Sequence, residues 1–187
     1  MYNQPMLRHR LLTAVAIVFA LALPFTARTQ SESYFGPQVG VFMPQDQALR
    51  DALGDQWFSF GASRIRLFRI NESKLAFDWN GVGQSKDGST VFIFTGSFGY
   101  VIPFSSVGSS TQPYAALRAG AAYMDYAVFT SSGRVSGKRL GANANAALGM
   151  NFSDRFNVEV RYDVWSEFDG LSFNGLTLAA RIGLFRF

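Results

Sequence analysis

The stretch from Leu176 to Phe187 constrains this chain's fold more than any other. It reads Leu-Thr-Leu-Ala-Ala-Arg-Ile-Gly-Leu-Phe-Arg-Phe, a strand-length run that stops on an aromatic residue with no polar tail. In water, such an ending would leave a large apolar side chain and an unpaired sheet edge exposed. Closing the sheet on itself in lipid removes both difficulties, because every backbone group then has a partner. The register of this strand stays open. With Phe185 and Phe187 facing lipid, Arg181 faces it too, at a cost of up to about 2–4 kcal/mol near the bilayer midplane. The opposite register turns Leu178, Ala180, Ile182 and Leu184 outward and Arg181 inward. A bulge near Gly183 would satisfy both halves.

Seven further runs precede it, short and mostly alternating, separated by turn signals. They are expected near Tyr34–Met43, Trp57–Ile70, Lys74–Asn80, Thr90–Ile102, Tyr114–Tyr126, Leu140–Phe152 and Phe156–Val164. The last is the cleanest, with Phe156, Val158, Val160, Tyr162 and Val164 against Asn157, Glu159, Arg161 and Asp163. Most runs reach the roughly 9–11 residues that a tilted strand needs to cross a bilayer. An even strand number puts both chain ends on one side. The connections near Asn71–Ser73 and Ser153–Arg155 then become short turns on that side. Pro44–Gln56 and Phe129–Lys138 become longer loops on the other, whereas Pro103–Pro113 and Glu167–Gly170 fit the pattern less well. The expected fold is all-β: an eight-stranded antiparallel up-and-down transmembrane β-barrel.

Ahead of the strands, Arg8, His9 and Arg10 precede an apolar run from Leu11 to Leu23. A basic segment followed by a run of this length predicts a cleaved signal peptide. A spanning helix needs about 20 apolar residues, and Pro24 and Arg28 interrupt too early. The expected division is a signal peptide over residues 1–27, cut between about 22 and 30, and a barrel domain over 28–187.

Composition then removes whole classes of activity. The chain has no Cys, so disulfides, Cys-based metal sites and Cys nucleophiles are excluded. Its one His is His9, inside the export segment. The expected mature chain cannot build Ser-His or Cys-His chemistry. Glu159 and Asp163 are a conceivable carboxylate pair, but four residues apart beside Arg161 they read as an ion-pair ladder. No enzyme activity, cofactor or metal is expected. The formal charge of +4 falls to +2 without Arg8 and Arg10, and no basic run of nucleic-acid-binding length occurs, so a nucleic-acid partner is not expected.

Alternation alone does not say which face is inside, since a secreted soluble barrel binding an apolar ligand has the same period. The export signal, the terminal Phe and the aromatics near strand ends (Tyr34, Trp57, Trp79, Tyr100, Tyr126, Trp165) favour a membrane barrel with interfacial girdles. The barrel interior is then expected to hold a polar network of Arg64, Arg66, Asp78, Arg118, Glu159, Arg161 and Asp163, paired across a lumen just wide enough for side chains. Pro44–Gly54 predicts a short helix capped by Asp46 and stopped by Gly54. Its apolar stripe is Ala48, Leu49, Ala52 and Leu53. Leu49 and Leu53 are candidates for a lid or partner contact, or for packing onto the barrel mouth. Phe129–Lys138 reads as a mobile surface loop, and Lys138 with Arg139 are candidates for touching lipopolysaccharide phosphates.

Taken together, the export segment, the alternating strands and the Gly-Leu-Phe-Arg-Phe ending resemble the small eight-stranded bacterial outer-membrane proteins of the opacity type. The resemblance covers roughly Tyr34–Phe187 and is architectural. It implies an outer-membrane location, contact with outer-membrane lipid and lipopolysaccharide, and an assembly signal carried by Phe185 and Phe187 and read by the outer-membrane assembly machinery. It implies a structural or surface-interaction role with an unnamed surface partner. A narrow porin-like channel for water or small polar solutes is the alternative.

Overall fold

The structure, a computed structural model, describes residues 33–66, 75–104, 111–152 and 155–186. The expected signal peptide and Phe187 lie outside the described residues. The chain forms β1 (Ser33–Pro44), α1 (Gln47–Leu53), β2 (Trp57–Arg66), β3 (Leu75–Lys86), β4 (Ser89–Pro103), β5 (Gln112–Thr130), β6 (Gly133–Asn151), β7 (Phe156–Trp165), β8 (Gly175–Ile182) and β9 (Phe185–Arg186). From β1 to β8 each strand pairs antiparallel with the next, and β1 pairs with β2 on one side and with β8 and β9 on the other. The sheet is therefore closed. Because β8 and β9 are two parts of one stave, the barrel has eight.

The seam shows how the ending satisfies both of its demands. Gln38 opposes Arg181, but Phe35 opposes Phe185, so three steps along β1 match four along the last stave. The extra residue falls at Gly183–Leu184, where the Gly183 N–H turns to the Arg155 carbonyl (2.7 Å) and the Leu184 N–H to that of Phe35 (3.0 Å). This is a bulge, and it re-aims the chain. Arg181 lies inside, 4% exposed, while Leu178, Ile182, Leu184 and Phe185 all face outward.

The same inversion runs round the sheet. On β4, Val91, Ile93, Thr95, Ser97 and Val101 face in, and Phe98, Tyr100 and Ile102 face out. On β6, Asn143 and Asn145 face in, while Leu140 and Leu148 face out. A polar interior under an apolar exterior is the pattern of a barrel solvated by lipid. Phe58, Phe60 and Phe92 stack across the outer face, as do Trp79 and Phe94, while Phe77 meets Trp79 edge-on and Phe98 at a tilt.

Three expectations are corrected. Tyr34, Trp57, Tyr126 and Trp165 are not girdle residues: all four are buried inside, and only Trp79 and Tyr100 face outward. Parity explains it, since Trp57 shares a face with Ser59 and Trp165 with Asp163. Strand three does not stop at Asn80 but runs to Lys86, turning at Asp87 (φ 48°) and Gly88 (φ 82°). Two consecutive positive φ values at an Asp-Gly pair make the tight hairpin that matches strand twist. Finally, Phe129–Lys138 is no loop. β5 and β6 are 19 residues each and pair continuously from Thr130↔Gly133 down to Gln112↔Asn151. That is about twice a spanning length, so their hairpin projects beyond the barrel.

Glycine at position 36 is what lets the seam close. A Cβ there would sit 1.7 Å from the Ile182 carbonyl oxygen. We expect Gly36→Ala to destabilise the barrel by about 1–3 kcal/mol through overpacking. A larger unfolded fraction on gels run with and without boiling checks this; wild-type mobility contradicts it.

Candidate functional site: a plugged barrel interior

The interior holds a layer of charged groups, a large apolar layer, and a second, smaller apolar cluster of Val101, Tyr114, Ala116 and Ala147. In the middle lie three carboxylates (Asp78, Glu159, Asp163) and three guanidinium groups (Arg118, Arg161, Arg181), each at most 5% exposed. Charge is thus balanced where solvent cannot screen it, the condition for holding ions in a low-dielectric space. Alternation delivers them: Glu159, Arg161 and Asp163 are successive inward positions of β7, Asp78 comes from β3, Arg118 from β5 and Arg181 from β8.

Glu159 is the hub. Arg118 grips it with two bonds, Nη1 to Oε1 at 3.1 Å and Nη2 to Oε2 at 2.7 Å. Arg181 donates from Nη2 to Oε1 at 2.7 Å, and the Tyr114 hydroxyl donates to Oε2 at 2.8 Å. Paired N–H forks of this kind are the strong, directional form of the ion pair. Arg161 donates from Nε to Asp163 Oδ2 at 2.9 Å and from Nη1 to Asp78 Oδ2 at 3.1 Å, and Thr177 donates to Asp163 at 2.8 Å. Arg181 Nε reaches Gln38 Oε1 at 2.6 Å, and Asn80 accepts from Gln38 and Ser59. The β7–β3 and β7–β5 bonds cross the lumen.

Above this layer, toward the end that carries α1, the interior turns apolar. Phe42, Leu49, Leu53, Trp57, Val82, Val91, Ile93, Met124, Tyr126, Val128, Trp165, Leu171 and Phe173 form one buried cluster. A seven-residue helix is unstable alone, and α1 is held by caps and packing. Asp46 accepts from the Ala48 and Leu49 N–H groups (2.8 and 3.3 Å) and also from Ser172 N (2.8 Å), tying the helix to the β7–β8 connection. Gly54 closes it with φ 90°. Leu49 and Leu53, on one face at i and i+4, are fully buried. They pack into the apolar cluster at the mouth.

Of the expected network, Asp78, Arg118, Glu159, Arg161 and Asp163 are brought together; the side chains of Arg64 and Arg66 lie outside the described residues. Sequence reasoning did not place Gln38, Asn80, Tyr114 or Asn157 in the network, and left Arg181 undecided. Parity with Gly36 and Gly40 was the signal for Gln38. Leu171 and Phe173 were also missed, because they belong to a connection that folds back into the mouth through the Asp169–Gly170 turn. Lys138 and Arg139 sit on β6, half-exposed, 3.5 Å from Asp125 and 3.7 Å from Asp169. Phe185 faces outward, 52% exposed.

With this geometry in hand, the solved structures similar to the chain can be compared. Neisserial surface protein A is 12% identical, matched over 85% of this chain and all of that one, with a TM-score of 0.55. The N-terminal β-barrel domain of Pseudomonas aeruginosa OprF is 15% identical over 81% of this chain and 97% of that one, TM-score 0.49. The attachment invasion locus protein Ail of Yersinia pestis is 13% identical over 85% of this chain and all of that one, TM-score 0.46. No protein-family model and no curated protein matches the sequence. The likeness to the Neisserial protein shows the fold, that of the small eight-stranded outer-membrane β-barrels.

Glu159→Gln should lower stability by about 3–5 kcal/mol, since it leaves buried guanidinium charge uncompensated. Asp125→Asn, at a half-exposed pair, should change it by less than about 1 kcal/mol. Urea titration of the folded protein in micelles separates the two; equal effects would contradict a buried network.

Proposed function

We propose that the protein is a closed, non-enzymatic outer-membrane barrel whose task lies at its surface, as a structural or surface-interaction protein. The observation that carries this reading is the double closure of the interior: an ion cluster bonded across the lumen, capped by an apolar plug that includes α1. A channel needs a wetted path, and eight staves leave room for little beyond side chains. Here those side chains are bonded to one another.

The apolar outer face and the export-type N-terminal sequence support residence in the outer membrane, with the α1 end outermost. In that setting Lys138 and Arg139 stand where lipopolysaccharide phosphates would meet them, as half-exposed cations whose carboxylate partners hold them weakly. Phe185, with Phe187 beyond the described residues, supplies the aromatic pattern for recognition by the assembly machinery.

Purified protein reconstituted in planar bilayers should give no unitary current steps. Leu53→Ala should also give none, because the ion cluster still blocks the lumen. Reproducible steps in the wild type would overturn the closed-barrel reading in favour of a narrow channel.

A further inference from the structure

The staves are unequal, and the inequality leaves one backbone edge without a partner. β6 pairs with β5 over its whole length, from Gly133 to Asn151. With β7 it pairs only from Asn143, opposite Trp165. One residue further, Ser166 donates its N–H to the Ala142 carbonyl (3.1 Å) and accepts the Ala142 N–H on its hydroxyl (2.9 Å). There the neighbouring chain turns away through Phe168–Leu171. Ala142 therefore aims both backbone groups toward the β7 side. The two-residue period aims those of Arg134, Ser136, Lys138 and Leu140 the same way. Among the described residues, no backbone group answers these four. All four are exposed, Leu140 at 79%.

We propose that this free edge of β6, from Arg134 to Leu140, is a docking site for an extended acidic polypeptide segment that adds to the sheet as a further strand. It deepens the surface-interaction reading and rests on it. An exposed edge of this length is a template for strand addition, in which main-chain bonds supply affinity and alternate side chains supply selection. The side chains choose the partner's sign. Arg134 lies over the Phe129 ring (5.5 Å), and Lys138 has a long, half-exposed contact to Asp125 (3.5 Å), while Arg139 contacts Asp169 (3.7 Å) and Tyr126. A second copy of the chain is disfavoured, because full antiparallel overlap of two such edges pairs Arg134 with Leu140 and Ser136 with Lys138, which sets each Arg134 diagonal to the other copy's Lys138 and brings no carboxylate to that row. Like charges facing one another across strands are destabilising. Carboxylates on alternate positions of an incoming strand meet the cations instead.

The probe is a short synthetic peptide of alternating Thr and Glu, added to the full-length barrel in zwitterionic micelles and followed by amide hydrogen exchange. Slowed exchange at Arg134, Ser136, Lys138 and Leu140, with no change at Val135, Gly137 and Arg139 (already bonded to β5), is the expected pattern. Protection without alternation, or none, overturns the proposal. Ser136→Pro removes one edge donor while sparing the β5 ladder, and should abolish binding while the boiling-dependent gel shift persists. A Thr-Lys peptide should bind at least about tenfold more weakly; equal affinity overturns the acidic assignment. Loss of peptide binding in a barrel that gives no current steps refutes this docking site alone, whereas current steps refute the closed-barrel reading beneath it.

Discussion

Lipid offers no hydrogen bonds to a backbone, and the rest of the structure follows from that constraint. A sheet in such surroundings must end where it begins, so β1 has to find the last stave. It does so through residues too small to obstruct it, Gly36 and Gly40, where any Cβ would strike the opposite backbone. It also does so through a bulge that lets one strand serve two masters. Below Gly183 the alternation aims Arg181 at Glu159; above it, Phe185 is aimed outward. Neither half alone specifies the fold of the chain's end.

Closure creates a second problem, an interior reached by neither lipid nor bulk water. The middle of the barrel and its α1 end solve it differently. In the middle, three carboxylates and three guanidinium groups pair with one another and share Glu159 and Asp78 as acceptors, so removing one disturbs several. Toward the α1 end, where the connections are long enough to fold back, the solution is an ordinary apolar core made of inward aromatics, two leucines of a helix and the returning Leu171 and Phe173. The membrane barrel thus carries a small water-soluble style of core at one end. The latch from Asp46 to Ser172 joins the two connections that build it.

Much of this was legible in the sequence, and the failures have physical causes. Strict alternation made β7 plain and gave the inward Glu159, Arg161 and Asp163 at once. The cap and stop residues announced α1. The aromatics misled because position near a strand end does not fix a face: Trp57 and Trp165 look like girdle residues until their parity with Ser59 and Asp163 is followed. The β5–β6 hairpin hid because the polar residues from Ser131 to Arg139 resemble a solvated loop. Beyond the bilayer both faces of a strand are wet, so the alternation that marks a spanning strand vanishes there. Asp87–Gly88 was the one turn signal strong enough to have extended strand three. The bulge at Gly183 needed the opposing register of β1, which no single-strand pattern contains.

The central claim is the inversion, apolar outside and polar inside, and spin labels placed singly along Ala115–Tyr123 in lipid bilayers test it most directly. This stretch of β5 alternates in exposure, and its inward positions reach the ion cluster at Arg118 and the apolar cluster at Ala122. The account predicts high collision rates with dissolved oxygen at 115, 117, 119, 121 and 123, and low rates at 116 and 122. The opposite phase, or no period of two, would contradict it.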